Sequence, residues 1–253
     1  MEFSIFTIVL LCLAFFVAGF IDSIAGGGGL ITLPSLLFAG IPPQFALGTN
    51  KLASTFGTGT AVFNFVRSKK VNWKVIAFGI AFSLGGSFIG SQTVMIFNQE
   101  IVGKIIVFML PLGVVAVLIP RKGIISGIEL TRKDLLLKIP LICLIIGFYD
   151  GFFGPGTGSF LTLSFFFFTR MKLIDATANA KVFNLMSNVG GLTAFILGSK
   201  VLFLLAIPIA VANMAGNFLG SRLAIKRGEG VIRVFLIFAF VMLLVSLVWK
   251  YYF

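Results

Sequence analysis

Long apolar stretches without a single charged residue recur from one end of this chain to the other, at 3–21, 75–99, 182–199, 201–221 and 234–249. Each approaches or exceeds the roughly 20 residues that a helix needs to cross the ~30 Å hydrocarbon layer of a bilayer. Backbone polar groups in lipid must be satisfied within the protein, so such segments fold as helices. Charged residues make up only 11% of the 253, too few to cover a water-soluble domain of that size. The reading is an all-α, multi-pass protein of the cell (inner) membrane, with the lipid bilayer as its surroundings. The chain opens Met1-Glu2, acidic where a signal peptide is basic, and no small-x-small cleavage site precedes a hydrophilic region, so the first segment is not read as a leader.

The net charge of +12 raises nucleic acid as a partner. The lysines and arginines, however, lie in short loops between apolar segments, where they act as topological signals; no nucleic-acid partner is expected. Cys12 and Cys143 both sit inside apolar segments, which argues against a disulfide framework. The chain contains no histidine, the commonest metal ligand and general base. Without it, and without paired carboxylates, no metal, cofactor or catalytic pair is expected, and the chain does not read as an enzyme.

The chain also repeats itself. Gly19-Phe20-Ile21-Asp22 recurs as Gly147-Phe148-Tyr149-Asp150, and each copy runs into a glycine cluster, Gly26–Gly29 in the first and Gly154–Gly158 in the second. Beyond a two-residue insertion the offset holds at 130: Thr32-Leu33 matches Thr162-Leu163, Lys51 matches Lys181, and Gly86-Ser87-Phe88 matches Gly216-Asn217-Phe218. Each copy reads as a glycine-broken segment followed by three helices. The first has 4–40 (broken at 26–29), 45–66, 73–97 and 101–119; the second has 135–169 (broken at 151–158), 175–198, 201–221 and 231–250. This divides the chain into a first membrane repeat at 1–120, a cytoplasmic linker at 121–138 and a second membrane repeat at 139–253.

Loop charge orients the copies. If each broken segment is a re-entrant hairpin, the loops at 67–74, 121–138, 170–172 and 222–233 share one side and hold fifteen lysines and arginines, against Lys104, Lys200 and Lys250 on the other. If each broken segment crosses the membrane, the split flattens to eleven against seven. The positive-inside rule favours the hairpins, with both termini outside and the two repeats inverted.

Glycine runs inside apolar segments disfavour helix by about 1 kcal/mol per residue against alanine, and irregular backbone at membrane depth survives only where it is buried or lines a wet cavity. Half-helices starting at about Leu30 and Ser159 aim the positive ends of their dipoles at the midplane, where an anion can be held. Matched broken helices in inverted halves point to a transporter's binding site. Lys51 and Lys181 are buried cations in the same zone, and Asp22 and Asp150 precede the breaks by four residues. The expected substrate-binding set is Lys51, Lys181, Thr49, Asn50, Asn179, Gly27, Gly28, Gly29, Gly156, Thr157 and Gly158, with Asn184 and Asn188 facing the same region. Asp22 and Asp150 are expected to couple or gate. The structural alternative for the four charges is a pair of bridges, one within each repeat, Asp22–Lys51 and Asp150–Lys181. Gly85, Gly86 and Gly90 read as close helix packing, the run Phe165–Phe168 as lipid-facing bulk, and Trp73, Trp249, Tyr251 and Tyr252 as an interfacial belt.

The segment Gly19-Phe20-Ile21-Asp22-Ser23-Ile24-Ala25-Gly26-Gly27-Gly28-Gly29, followed by Leu47-Gly48-Thr49-Asn50-Lys51, resembles the TauE/SafE family of sulfite and organosulfonate exporters. A weaker echo runs through Gly147–Gly158 and Ala178-Asn179-Ala180-Lys181. The resemblance covers the whole chain. It implies secondary transport, in the export direction, of a small anion such as sulfite or an organosulfonate, by alternating access at the repeat interface. The second copy departs from the first by placing Pro155 and Thr157 in its glycine cluster, which makes its half-helix cap chemically different. Inorganic cation transport on Asp22 and Asp150, disfavoured by the adjacent lysines, and a non-transporting enzyme or scaffold are the competing readings. A homo-oligomer is compatible with the sequence, which leaves subunit number open.

Overall fold

A computed structural model of the chain describes residues 3–118 and 130–227. Among these residues every regular element is a helix: α1 (Ile5–Ala25), α2 (Gly29–Phe38), α3 (Pro43–Arg67), α4 (Trp73–Ile96), α5 (Gln99–Leu118), α6 (Ile139–Phe152), α7 (Thr157–Phe168), α8 (Leu173–Leu197) and α9 (Phe203–Arg227). A π-helical turn, Asp134–Lys138, leads into α6. The expected helix at 231–250, with Trp249, Tyr251 and Tyr252, lies outside the described residues, as do 119–129, the end of the expected first repeat and the start of the expected linker.

Both breaks are present. The hydroxyl of Ser4 caps α1 by accepting from the Thr7 N–H at 3.1 Å, and Gly26 stops the helix at φ 78°, a left-handed conformation open to glycine. In the second half Gly154 and Gly156 turn the chain at φ 97° and 86°, while the Tyr149 hydroxyl donates to the Pro155 carbonyl at 2.6 Å and steadies the turn. The half-helices start at Gly29 and Thr157, slightly ahead of the expected Leu30 and Ser159. With 10 and 12 residues, α2 and α7 rise only about 15 and 18 Å, half a bilayer core.

The core shows where the half-helices go. Leu11 and Phe15 of α1 share one apolar cluster with Leu36, Leu37 and Ile41 around the end of α2, and with Val94 and Val201. Ile139 and Cys143 of α6 share another with Phe165, Phe166 and Met171 around the end of α7, and with Val75 and Ile76. The end of each half-helix thus shares a cluster with its own long helix, the first cluster holding Val94 of α4 and the second Val75 and Ile76. Phe165 and Phe166 are buried in that second cluster while Phe167 and Phe168 face outward. The expectation of a lipid-facing Phe165–Phe168 run is thus corrected: successive helical residues are 100° apart, so four in a row cannot share a face.

Helix α1 packs along α9, and α6 along α4. Glycines permit the approach, as small residues do between membrane helices. A Cβ at Gly86 would stand 2.5 Å from the Leu144 carbonyl oxygen, and one at Gly147 would stand 2.6 Å from that of Ser83. The same contacts recur in the other pair, where Gly216 faces Phe16 and Phe20 as Gly86 faces Leu144 and Phe148. Gly90 packs as Gly86 does, but Gly85 looks into open space and takes no part.

Polarity runs inside out. Ile5, Ile96 and Leu204 are 82%, 81% and 92% exposed, while Thr49, Lys51, Asn179, Lys181 and Ser187 are buried. That is the pattern of a protein whose outer solvent is lipid. Among the described residues, five helical segments are long and apolar enough to cross a membrane: Ile5–Ala25, Trp73–Ile96, Asp134–Phe152, Leu173–Leu197 and Phe203–Lys226. Helix α3 is of comparable length, with 25 residues, and buries Thr49, Asn50, Lys51, Thr58 and Asn64.

Candidate functional site

The two lysines stand at matching places in α3 and α8, and each reaches across to the other half of the chain. Lys51 Nζ lies 2.5 Å from Asp150 Oδ2, at side-chain exposures of 3% and 4%. Lys181 Nζ lies 2.7 Å from Asp22 Oδ2 and also donates to the Asp22 backbone carbonyl. The within-repeat bridges Asp22–Lys51 and Asp150–Lys181 are therefore not the ones formed; the pairs are crossed. The cause is the way the hairpin tips interlock. Ser159 N–H donates to the Gly26 carbonyl at 3.3 Å, the Ser159 hydroxyl donates to the Ala25 carbonyl, and a Cβ on Gly26 would strike the backbone of Gly158. With the tips in contact, each aspartate at the end of its long helix meets the opposite lysine.

Further donors surround both carboxylates. Asp150 accepts from Ser187 Oγ at 2.6 Å and from Thr157 Oγ1 at 2.8 Å. Asp22 Oδ1 accepts from the Gly28 N–H at 3.2 Å. Lys51 Nζ also donates to Asn188 Oδ1 at 3.2 Å, and Asn188 donates on to Asn184 Oδ1 at 3.0 Å.

A narrow polar cavity of about 30 Å³, partly open to the outside, lies between the tips and against α3, α8 and α9. Of the expected site residues it brings together Lys51, Asn50, Gly28, Gly29, Gly156, Thr157 and Gly158, with Asp22, Asp150, Asn184 and Asn188. Asn50 is 8% exposed and its side-chain oxygen has no hydrogen-bond partner, although it lines the cavity. Gly27 and Lys181 do not line it. Thr49 and Asn179 stand apart: Thr49 Oγ1 accepts from the Leu202 N–H at 3.1 Å, and Asn179 Oδ1 from the Asn72 N–H at 3.0 Å. These two equivalent residues tie down the loops ahead of α9 and α4.

The cavity adds Thr32, Ser54, Thr58 and Asn213, which were not anticipated. Ser54 and Thr58 are the 130-residue counterparts of Asn184 and Asn188, so the repeat offset, carried beyond the lysines, was a sufficient signal. Asn213 and Ser187 had none, since neither has a polar counterpart in the cavity.

A bundle of apolar-faced helices, broken at two interlocked tips around a polar cavity lined by charged side chains, has the architecture of a multi-pass membrane transporter. The chain belongs to the family described as "Sulfite exporter TauE/SafE", whose profile matches residues 11–248. It is 39% identical over 232 residues to the probable membrane transporter protein YfcA of Escherichia coli K12, covering 89% of this chain and 84% of that one. A probable membrane transporter protein of Haemophilus influenzae is 38% identical, covering 89% and 88%. The probable membrane transporter protein ORF9 of a Sinorhizobium species is 37% identical, covering 94% and 90%. No solved structure matches the chain.

Proposed function

We propose that this protein is a secondary transporter that moves a small oxyanion across the cytoplasmic membrane by alternating access between two inverted halves. The observation that carries this reading is Lys51, a cation at the lining of the polar cavity whose counter-ion is a carboxylate of the other half. Ionisable groups buried in the membrane mark substrate pathways, and an arriving oxyanion can take the carboxylate's place on the ammonium group. Asn50 and Thr157 supply neutral hydrogen-bonding groups beside it, and the first residues of α2 and α7 turn positive dipole ends toward the same space. Inversion is supported by the loop charges and by the two apolar clusters, one grouping the end of α2 with Val94 and the other the end of α7 with Val75 and Ile76, residues from opposite ends of α4. Sulfite, the cargo in the family's description, or an organosulfonate is the substrate class proposed, with export as the direction.

Uptake into proteoliposomes tests this, screened over sulfite, sulfate, thiosulfate, short sulfonates and short carboxylates. At least one sulfur oxyanion is expected to be transported by the wild type and not by Lys51→Ala. Transport of none of them by folded wild type, or undiminished transport by Lys51→Ala, overturns the reading.

A further inference from the structure

The two crossed bridges are built unequally. Asp150 has three donors, Lys51 at 2.5 Å, Ser187 at 2.6 Å and Thr157 at 2.8 Å. Each hydroxyl has one proton and a backbone carbonyl as an alternative acceptor, Asn184 O at 3.0 Å for Ser187 and Gly154 O at 2.6 Å for Thr157. The hydroxyls can therefore turn toward the carboxylate or away from it. Lys51 likewise has a second acceptor, Asn188 Oδ1, on a different residue. Among the described residues, Lys181 has both its acceptors on Asp22, and the one further donor to the Asp22 carboxylate is the Gly28 N–H.

The difference is visible in the sequence. At the 130-residue offset, positions 157 and 187 correspond to Gly27 and Gly57, which have no hydroxyl to offer Asp22. A buried carboxylate that loses its cation is stranded unless other donors remain. Asp150, at 4% exposure, keeps two hydroxyls when Lys51 departs, whereas Asp22, at 17% exposure, keeps one backbone N–H. Lys51 also lines the cavity, and Lys181 does not.

We infer that the Lys51–Asp150 bridge is the one that opens during the transport cycle, that Thr157 and Ser187 are the positioning residues that hold Asp150 while Lys51 is away, and that Asp22–Lys181 is a fixed clamp between the first hairpin and α8. The transport reading supplies what Lys51 meets once free; the opening itself can be measured without any substrate.

The measurement is reductive methylation of the full-length protein in lipid nanodiscs with formaldehyde and dimethylamine–borane, followed at each lysine by peptide mass spectrometry. Lys51 is expected to be methylated about tenfold or more faster than Lys181, the scale set by one hydrogen bond to a charged group. Thr157→Val combined with Ser187→Ala leaves Lys51 as the main partner of Asp150, so Lys51 methylation is expected to slow by about tenfold on the same scale and that of Lys181 to stay unchanged. Thr157→Ser and Ser187→Thr, which keep the hydroxyls, are expected to keep the wild-type rate, a rescue that a merely structural role would not show.

Equal rates at the two lysines, faster reaction at Lys181, or no reaction at either overturns the inference, as does an unchanged Lys51 rate in the hydroxyl-free variant. If that variant does not fold, the wild-type ratio and the conservative variants still decide the matter. Sulfate and methanesulfonate, added as probes, separate the two readings. Protection of Lys51 alone supports both. Fast Lys51 methylation that neither anion slows removes the anion reading and leaves the opening bridge standing. Equal protection of both lysines removes the inference and leaves the anion reading.

Discussion

Lys51 and Asp150 are each almost wholly buried, so the penalty for separating them is large. Removing one partner of a buried pair commonly destabilises by about 3–5 kcal/mol, because the other charge is left uncompensated. Lys51→Ala and Asp150→Asn are each expected to lower the thermal unfolding midpoint of the purified protein, and Lys51→Met with Asp150→Asn to restore most of it. Transport should stay absent in the double variant, since the cation proposed to meet the substrate is gone; recovery of stability and transport together would make the pair purely structural. Lys51→Arg is expected to retain part of the activity, because a planar guanidinium carries the charge but not the compact geometry of an ammonium. The four charges were legible in the sequence because an ionisable group inside an apolar run has few ordinary explanations. Their pairing was not. A one-dimensional pattern suggests partners within a repeat, and the crossing of the hairpin tips that exchanges them is a property of the tertiary contact between Gly26 and Gly158. Thr49 and Asn179 illustrate the same limit: adjacency to a site residue on a helix says nothing about direction, since the next residue points 100° away.

At the scale of elements the breaks and most helix bounds were legible to about two residues, because hydropathy and glycine clusters report directly on what a bilayer permits. The exception is α9, which continues past the expected 221 to Arg227 through charged residues that hydropathy reads as a loop. The burial of Phe165 and Phe166 was not, because composition alone does not say which face of a short helix meets its neighbour. Glycine's role also divides by position. Gly26 combines a left-handed φ of 78° with direct contact against Gly158, so Gly26→Ala adds backbone strain to a steric clash. It is expected to destabilise by about 2–3 kcal/mol and to abolish transport. Gly59 and Gly85 lie within α3 and α4 with nothing near the place a Cβ would occupy. Alanine at either is expected to be neutral or to stabilise by up to about 1 kcal/mol through helix propensity. Thermal unfolding of the four proteins, wild type included, checks this; equal losses at 26 and 59 would show that the break is not a special position.

For the molecule as a whole, everything said about alternating access depends on each broken segment returning to the side it came from. The two turns that follow the half-helices decide it. Gly40 and Arg170 end α2 and α7 at equivalent positions, and both have a left-handed φ, 81° and 54°. The presence of Arg170 shows that the turn accepts a side chain, so a cysteine at position 40, where nothing lies within 4 Å of a Cβ, should be tolerated. In a protein freed of Cys12 and Cys143, the inverted arrangement predicts that Ser4→Cys and Gly40→Cys react with an impermeant maleimide in intact cells. Lys70→Cys and Arg170→Cys should react only after the cells are permeabilised. The parallel arrangement, in which every broken segment crosses the bilayer, places positions 40 and 170 on the same side and positions 4 and 40 on opposite sides. The positive-inside rule already weighs against it, because it would leave Arg170, Lys172, Arg222 and Lys226 outside. Labelling of positions 40 and 170 from the same side would refute the inverted arrangement whatever the loop charges suggest.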